Sequence, residues 1–116
     1  MNIKKTHCVY VIELDKEVLK KKKFMKENKN SYIDGKACFY VGMTFYTPEE
    51  RFKHHKTRHK NAKGVDVSSQ FPREYGKMII KELCTPSKSL TYKEALKMEK
   101  EKALNLKNQG YGVYSR

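Results

Sequence analysis

The chain is short of negative charge: 13 Asp and Glu stand against 26 Lys and Arg in 116 residues, for a formal net charge of +13. Cysteine is sparse too. Cys8, Cys38 and Cys84 are odd in number and widely spaced, and no C-x-x-C pair occurs, which excludes a disulfide framework and a zinc ribbon and fits a reducing cytoplasm. Long apolar runs are absent: the longest are about five residues, against the ~20 that span a bilayer. Glu13 and Asp15 follow the amino-terminal Met-Asn-Ile-Lys-Lys too soon for an export signal. A soluble, cytoplasmic chain with no membrane partner is therefore expected. No internal repeat is found, and the length suits one domain over residues 1–116. With 34% charged residues the chain could be taken for disordered, but 38% hydrophobic residues, with eight Tyr and five Phe in clustered runs, supply a core.

The basic excess is concentrated. Residues 16–30 hold seven Lys against two Glu, and residues 51–63 hold six Lys and Arg, three His and no acid. Two such patches imply a polyanion, and nucleic acid is the expected one, because each neutralised phosphate releases a condensed counterion. Lys20, Lys21, Lys22 and Lys23 in the first patch and Lys53, Lys56, Arg58 and Lys60 in the second are the candidate contacts. The plain alternative is a well-solvated surface, which suits the Lys-only first patch better than the second.

Residues 6–14 are β-branched and aromatic on both alternating faces, as a central strand covered on each side would be. A Lys-rich insertion at about 15–36 follows, with a weakly patterned helix or ordered loop to about Asn28 and turns ending in Asp34-Gly35. Ala37–Thr44 reads as a second strand, in which Gly42 marks a close approach of another group to the backbone. Thr47-Pro48-Glu49-Glu50 is a capping box opening a helix from 48 to about 60. A polar connection then leads to a helical turn at Phe71–Tyr75 and a third strand at Lys77–Cys84. A second capping box, Thr91 with Glu94, opens a helix to about Asn108 that Gly110 stops, and Tyr111–Arg116 adds a short strand or simply packs.

On that last helix Tyr92, Ala95, Leu96, Ala103 and Leu106 form one apolar stripe with Glu99 at its centre, whereas Glu101 projects among lysines on the opposite side. An ionised carboxylate there requires a cation nearby, whether Arg, Lys or a metal ion. On the helix from Pro48, Arg51, His55 and His59 recur every four residues and share a face. Guanidinium and imidazole together suit phosphate handling, through bidentate donors and a proton carrier near neutral pH. Zinc at His55 and His59 would need two further ligands that no Cys pair or second His cluster offers.

Cys8-Val9-Tyr10 in the first strand, Tyr40-Val41-Gly42 in the second, Arg51-x-x-x-His55 on the helix and Glu99 after Ala95-Leu96-Lys97-Met98 stand in an order that resembles the GIY-YIG endonuclease family. The likeness runs from residue 7 to 114. The first tripeptide has lost its Gly, and the Asn that many members carry after the glutamate helix has only Asn105 and Asn108 as counterparts. The resemblance implies an α/β (α+β) fold with a small antiparallel three-stranded sheet flanked by helices. It also implies a single Mg²⁺ or Mn²⁺ held by Glu99, with phosphodiester bonds of DNA as substrate. Tyr10 would be the general base, its pKa falling from about 10 toward ~7–8. His55 would accept the Tyr10 proton or position water, Tyr40 would hydrogen-bond phosphate or metal-bound water, and Arg51 would stabilise the transition state. Branched or non-specific duplex DNA is the expected substrate, with low sequence specificity or dependence on a protein partner or a second copy of the chain. The rival reading is a non-catalytic nucleic-acid-binding module of the same fold.

Overall fold

β-branched and aromatic residues fill both faces of Cys8–Leu14, and this run is β1, buried everywhere except the half-buried Glu13. The computed structural model describes residues 4–57 and 69–115. β1 pairs antiparallel with β2 (Cys38–Thr44) from Cys8↔Thr44 to Leu14↔Cys38, and on its other side with β3 (Gly76–Ile79). β4 (Gly112–Ser115) runs parallel to β2, in the order β3-β1-β2-β4. The sheet is thus four-stranded and mixed, which corrects the expected three-stranded antiparallel one. The crossover through the last helix delivers β4 alongside β2 in parallel, as a helical connection of that length allows.

The third strand is also shorter than expected. It stops at Ile79, and Lys81–Leu83 make a 3-10 turn. The chain stays against β1 by other means: Ile80 N–H donates to Val11 O (2.9 Å), Thr85 N–H donates to Val9 O (2.9 Å), and Thr85 Oγ1 accepts from Val9 N–H (2.8 Å). A side chain here replaces a ladder bond that a continued strand would have made.

Helices cover both faces. The Lys-rich insertion forms a 3-10 turn at Lys16–Lys20 and then α1 (Lys22–Asn28), anchored by the buried Val18, Phe24 and Asn28. With α2 (Pro48–Thr57) and α3 (Gln70–Tyr75), it lies over the face carrying Tyr10, Ile12, Leu14, Cys38 and Tyr40. α4 (Tyr92–Asn108) covers Val9, Val11, Phe39 and Val41. Both expected capping boxes form: Thr47 Oγ1 accepts from Glu50 N–H (3.1 Å) and Thr91 Oγ1 from Glu94 N–H (3.1 Å). The α4 stripe needs one correction. Ala95, Glu99 and Leu106 are buried, but Tyr92 is 57% and Leu96 37% exposed. The helix meets the narrow sheet along the Ala95, Glu99 and Leu106 half of its stripe, and the other half faces out.

Asn28 ties the insertion to the far strand. Its Nδ2 donates to Phe24 O (2.8 Å) and Val113 O (3.0 Å), and its Oδ1 accepts from Val113 N–H (2.8 Å). Among the described residues no helix is long and apolar enough to cross a membrane.

Candidate active site

Tyr10 and Tyr40 project from adjacent strands toward α2, where Arg51 and His55 share the buried face. The three rings form a near-equilateral triangle, with centroids 6.2 Å apart for Tyr10–Tyr40, 6.0 Å for Tyr10–His55 and 5.8 Å for Tyr40–His55. Gly42 is the cross-strand partner of Tyr10, and a Cβ there would lie 2.5 Å from the Tyr10 hydroxyl oxygen. The close approach read from the sequence is therefore the Tyr10 ring lying over Gly42.

His55 is bonded at both ring nitrogens. Nδ1 accepts from Ser69 N–H (2.9 Å), and Nε2 lies 2.9 Å from the Tyr10 hydroxyl. A neutral imidazole whose Nδ1 is an acceptor carries its proton on Nε2, so His55 donates to Tyr10. This corrects the expectation that His55 could accept the Tyr10 proton: its nearer nitrogen has no lone pair to do so. The Arg51 guanidinium, also buried, makes a second hydrogen bond to the same hydroxyl. Two donors converge on one oxygen, an arrangement that favours a phenolate.

Burial works in the other direction. Tyr10 is 1% exposed, and desolvation, reinforced by Tyr40 and by the Glu99 carboxylate, pushes its hydroxyl well above the ordinary tyrosine value although Arg51 pulls it down. The expected fall toward neutrality is absent, because the loss of solvent outweighs the pull of the Arg51 guanidinium. Glu99, 5% exposed on α4, acts on the ionisation of Tyr10 although its helix covers the opposite face of the sheet. Four side chains from β2, α2 and α4, Tyr40, Arg51, His55 and Glu99, thus bear on the one Tyr10 hydroxyl. Among the described residues no cluster of three or more His, Cys, Asp or Glu occurs. One carboxylate beside a phenol suits a hard cation that takes oxygen ligands and keeps most of its water, and with both nitrogens engaged His55 does not fit as a ligand.

Sequence reading missed Ser69. Besides orienting His55 through its N–H, it accepts a hydrogen bond from the Tyr40 hydroxyl at its Oγ (3.1 Å). A Ser just before a helical turn is the available signal, yet its side chain makes no cap bond to α3. Beside Tyr40 a cavity of about 320 Å³ is lined by Lys23, Ser69, Gln70, Phe71 and Tyr114, which brings the Lys-rich insertion to the edge of the site.

Of the candidate nucleic-acid contacts, Lys20, Lys21, Lys22, Lys23 and Lys53 are exposed. Lys20 also pairs with Glu17 at 2.7 Å. Lys56 is exposed, but its ammonium donates to the carbonyls of Arg73 (3.1 Å) and Gly76 (3.0 Å). Arg58, Lys60 and His59 lie outside the described residues. Asn105 and Asn108 are exposed on α4, and Asn105 Oδ1 accepts from Gln109 (3.1 Å), so neither is buried with the site. No family model, no curated protein and no solved structure matches the chain.

Proposed function

We propose that the protein is a divalent-metal-dependent endonuclease of the GIY-YIG type that hydrolyses phosphodiester bonds of DNA. The observation that carries the reading is the convergence of His55 and Arg51 as donors on the Tyr10 hydroxyl, with the buried Glu99 alongside. Glu99 would hold Mg²⁺ or Mn²⁺. When bound, such a cation polarises a phosphoryl oxygen and lowers the pKa of neighbouring acids.

Tyr10 Oη then serves as the base that takes a proton from the attacking water. The resulting hydroxide would form the new bond to phosphorus while the bond to the leaving sugar oxygen breaks, and that oxygen would take its proton from solvent. His55 Nε2–H and Arg51 hold the phenolate before that transfer, and neither needs to move for it. Arg51, with its planar donors, also faces the charge that develops on the phosphoryl oxygens. Tyr40, supported by Ser69, presents a hydroxyl beside the reacting group. The exposed lysines of α1 and α2 would hold flanking phosphates without reading sequence.

One observation favours a second reading, a non-catalytic nucleic-acid-binding module: burial of Tyr10 favours its neutral phenol, which has little capacity to take a proton from water. Nicking of supercoiled plasmid and of a branched DNA with Mg²⁺ or Mn²⁺ separates the two. Wild type should cut, and Glu99→Ala and Arg51→Ala should lose at least about a hundredfold in rate while keeping the wild-type circular dichroism spectrum. Equal cutting by wild type and Glu99→Ala would remove the mechanism. Binding without cutting would leave the module.

A further inference from the structure

Three large rings stand in solvent on one side of the molecule: Tyr92 at 57%, Phe45 at 54% and Tyr46 at 44% exposure. Two histidines join them into a row. Centroids are 5.3 Å apart for Tyr92–His7, 6.0 Å for His7–Phe45, 6.1 Å for Phe45–Tyr46 and 4.6 Å for Tyr46–His54. We propose that this row binds unpaired nucleobases of a nucleic acid, stacking them on Tyr92, Phe45 and Tyr46. The proposal rests on the nucleic-acid-binding part of the reading above and not on cleavage.

The row is assembled from the residue before β1, the β2–α2 connection, α2 and the first residue of α4, so no local sequence pattern produces it. Its backbone is fixed. His7 N–H donates to Leu90 O (2.9 Å), Tyr46 N–H to Thr44 Oγ1 (3.0 Å) and the Cys8 thiol to Tyr46 O (3.4 Å). Rings held this way accept a partner with little further ordering cost. Successive members are all aromatic, a composition that suits the π-face of a base, which stacks whatever its identity.

The charges agree. The Lys88 ammonium lies 6.0 Å from the Phe45 ring centroid, and the exposed Lys5 ammonium, beyond Tyr92's end of the row, is 4.0 Å from Glu94 Oε1. The acids nearby are committed to helix starts: Glu50 accepts from Thr47 N–H (3.0 Å) and Glu94 from Thr91 N–H (2.8 Å). A phosphate flanking a base stacked on Phe45 would meet the Lys88 ammonium. The row ends at His54 on α2, the helix that also carries His55.

The test uses the full chain in chelator, so that no cutting occurs, with three fluorescent probes of equal length: single-stranded DNA, duplex DNA and a single strand of abasic residues. Phe45→Ala/Tyr92→Ala should bind single-stranded DNA at least about tenfold more weakly and duplex DNA within about twofold of wild type. Wild type should bind the abasic strand about as weakly as the variant binds the normal one. Equal affinity of wild type for abasic and normal strands would overturn the proposal, and that measurement needs no variant to fold. Unchanged single-strand affinity in a folded variant would also overturn it and leave the row to a protein partner. Failure of wild type to nick any DNA, with base-dependent binding intact, would sink the endonuclease reading and not this one.

Discussion

Gly42→Ala sets two effects of known size against each other. Replacing Gly by Ala in extended backbone restricts the unfolded chain and stabilises by about 0.4–1 kcal/mol where the new methyl has room. Here it has none: the added Cβ would lie 2.5 Å from Tyr10 Oη, 2.6 Å from Cζ and 2.9 Å from Cε1. The ring cannot retreat freely, because Tyr40 and His55 flank it and both His55 and Arg51 bond its hydroxyl. Overpacking of this kind costs about 1–3 kcal/mol, so the steric effect wins and the variant should melt several degrees lower. Nicking activity should fall further than stability does, by about a hundredfold, since a reacting hydroxyl displaced by ~1 Å loses its alignment. Thermal melting and plasmid nicking measured on the same preparation check both. In a Tyr10→Ala background the added methyl meets no ring, and Gly42→Ala should become neutral or stabilising, a coupling that a double-mutant cycle reads directly. A variant with wild-type melting and wild-type activity would refute the placement of Tyr10 over Gly42.

Asn28→Ala should destabilise by about 2–4 kcal/mol, because it leaves Val113 N–H and O without their side-chain partner in a buried position. Hydrogen exchange should quicken first at residues 112–115, and a loss under about 0.5 kcal/mol would show that the tie is not structural. Burial pushes the Cys8 and Cys38 thiols up to about 11 from an ordinary 9.0. An acid that holds its proton more tightly when folded stabilises below its unfolded value, so stability should be full below pH 9 and fall as pH rises from 9 to 11, by about 2–3 kcal/mol per thiol. Cys8→Ala/Cys38→Ala should lose stability less steeply over that window, and parallel melting curves for the two proteins would contradict the assignment.

Much of the site was legible because it depends on side-chain type at fixed spacing. Tyr10 and Tyr40 stand in runs apolar on both faces, Arg51 and His55 are four apart behind a capping box, and Glu99 interrupts a stripe. All five are buried where periodicity put them. What escaped depends on main-chain groups or on packing over distance. Ser69 acts on His55 through an N–H that nearly every residue type supplies, so no choice of side chain announces it. That Tyr92 and Leu96 on α4 face out follows from the width of the sheet beneath. β4 is four residues long, too short for alternation to separate strand from coil, and its parallel pairing is set by the crossover. The high pKa of Tyr10 comes from desolvation by several elements at once, which no local pattern encodes.

Lys56 gives the sheet a property beyond any ligand. β3 forms one rim, and a rim offers unpaired carbonyls as a template for a strand from another molecule. On this one the Lys56 ammonium already occupies the carbonyls of Arg73 and Gly76 where β3 begins, Lys77 is exposed along it, and the strand ends after four residues in a 3-10 turn. An incoming strand would have to displace a cation and would find little ladder to extend. That rim is guarded against edge-to-edge aggregation by the same helix that carries the candidate chemistry.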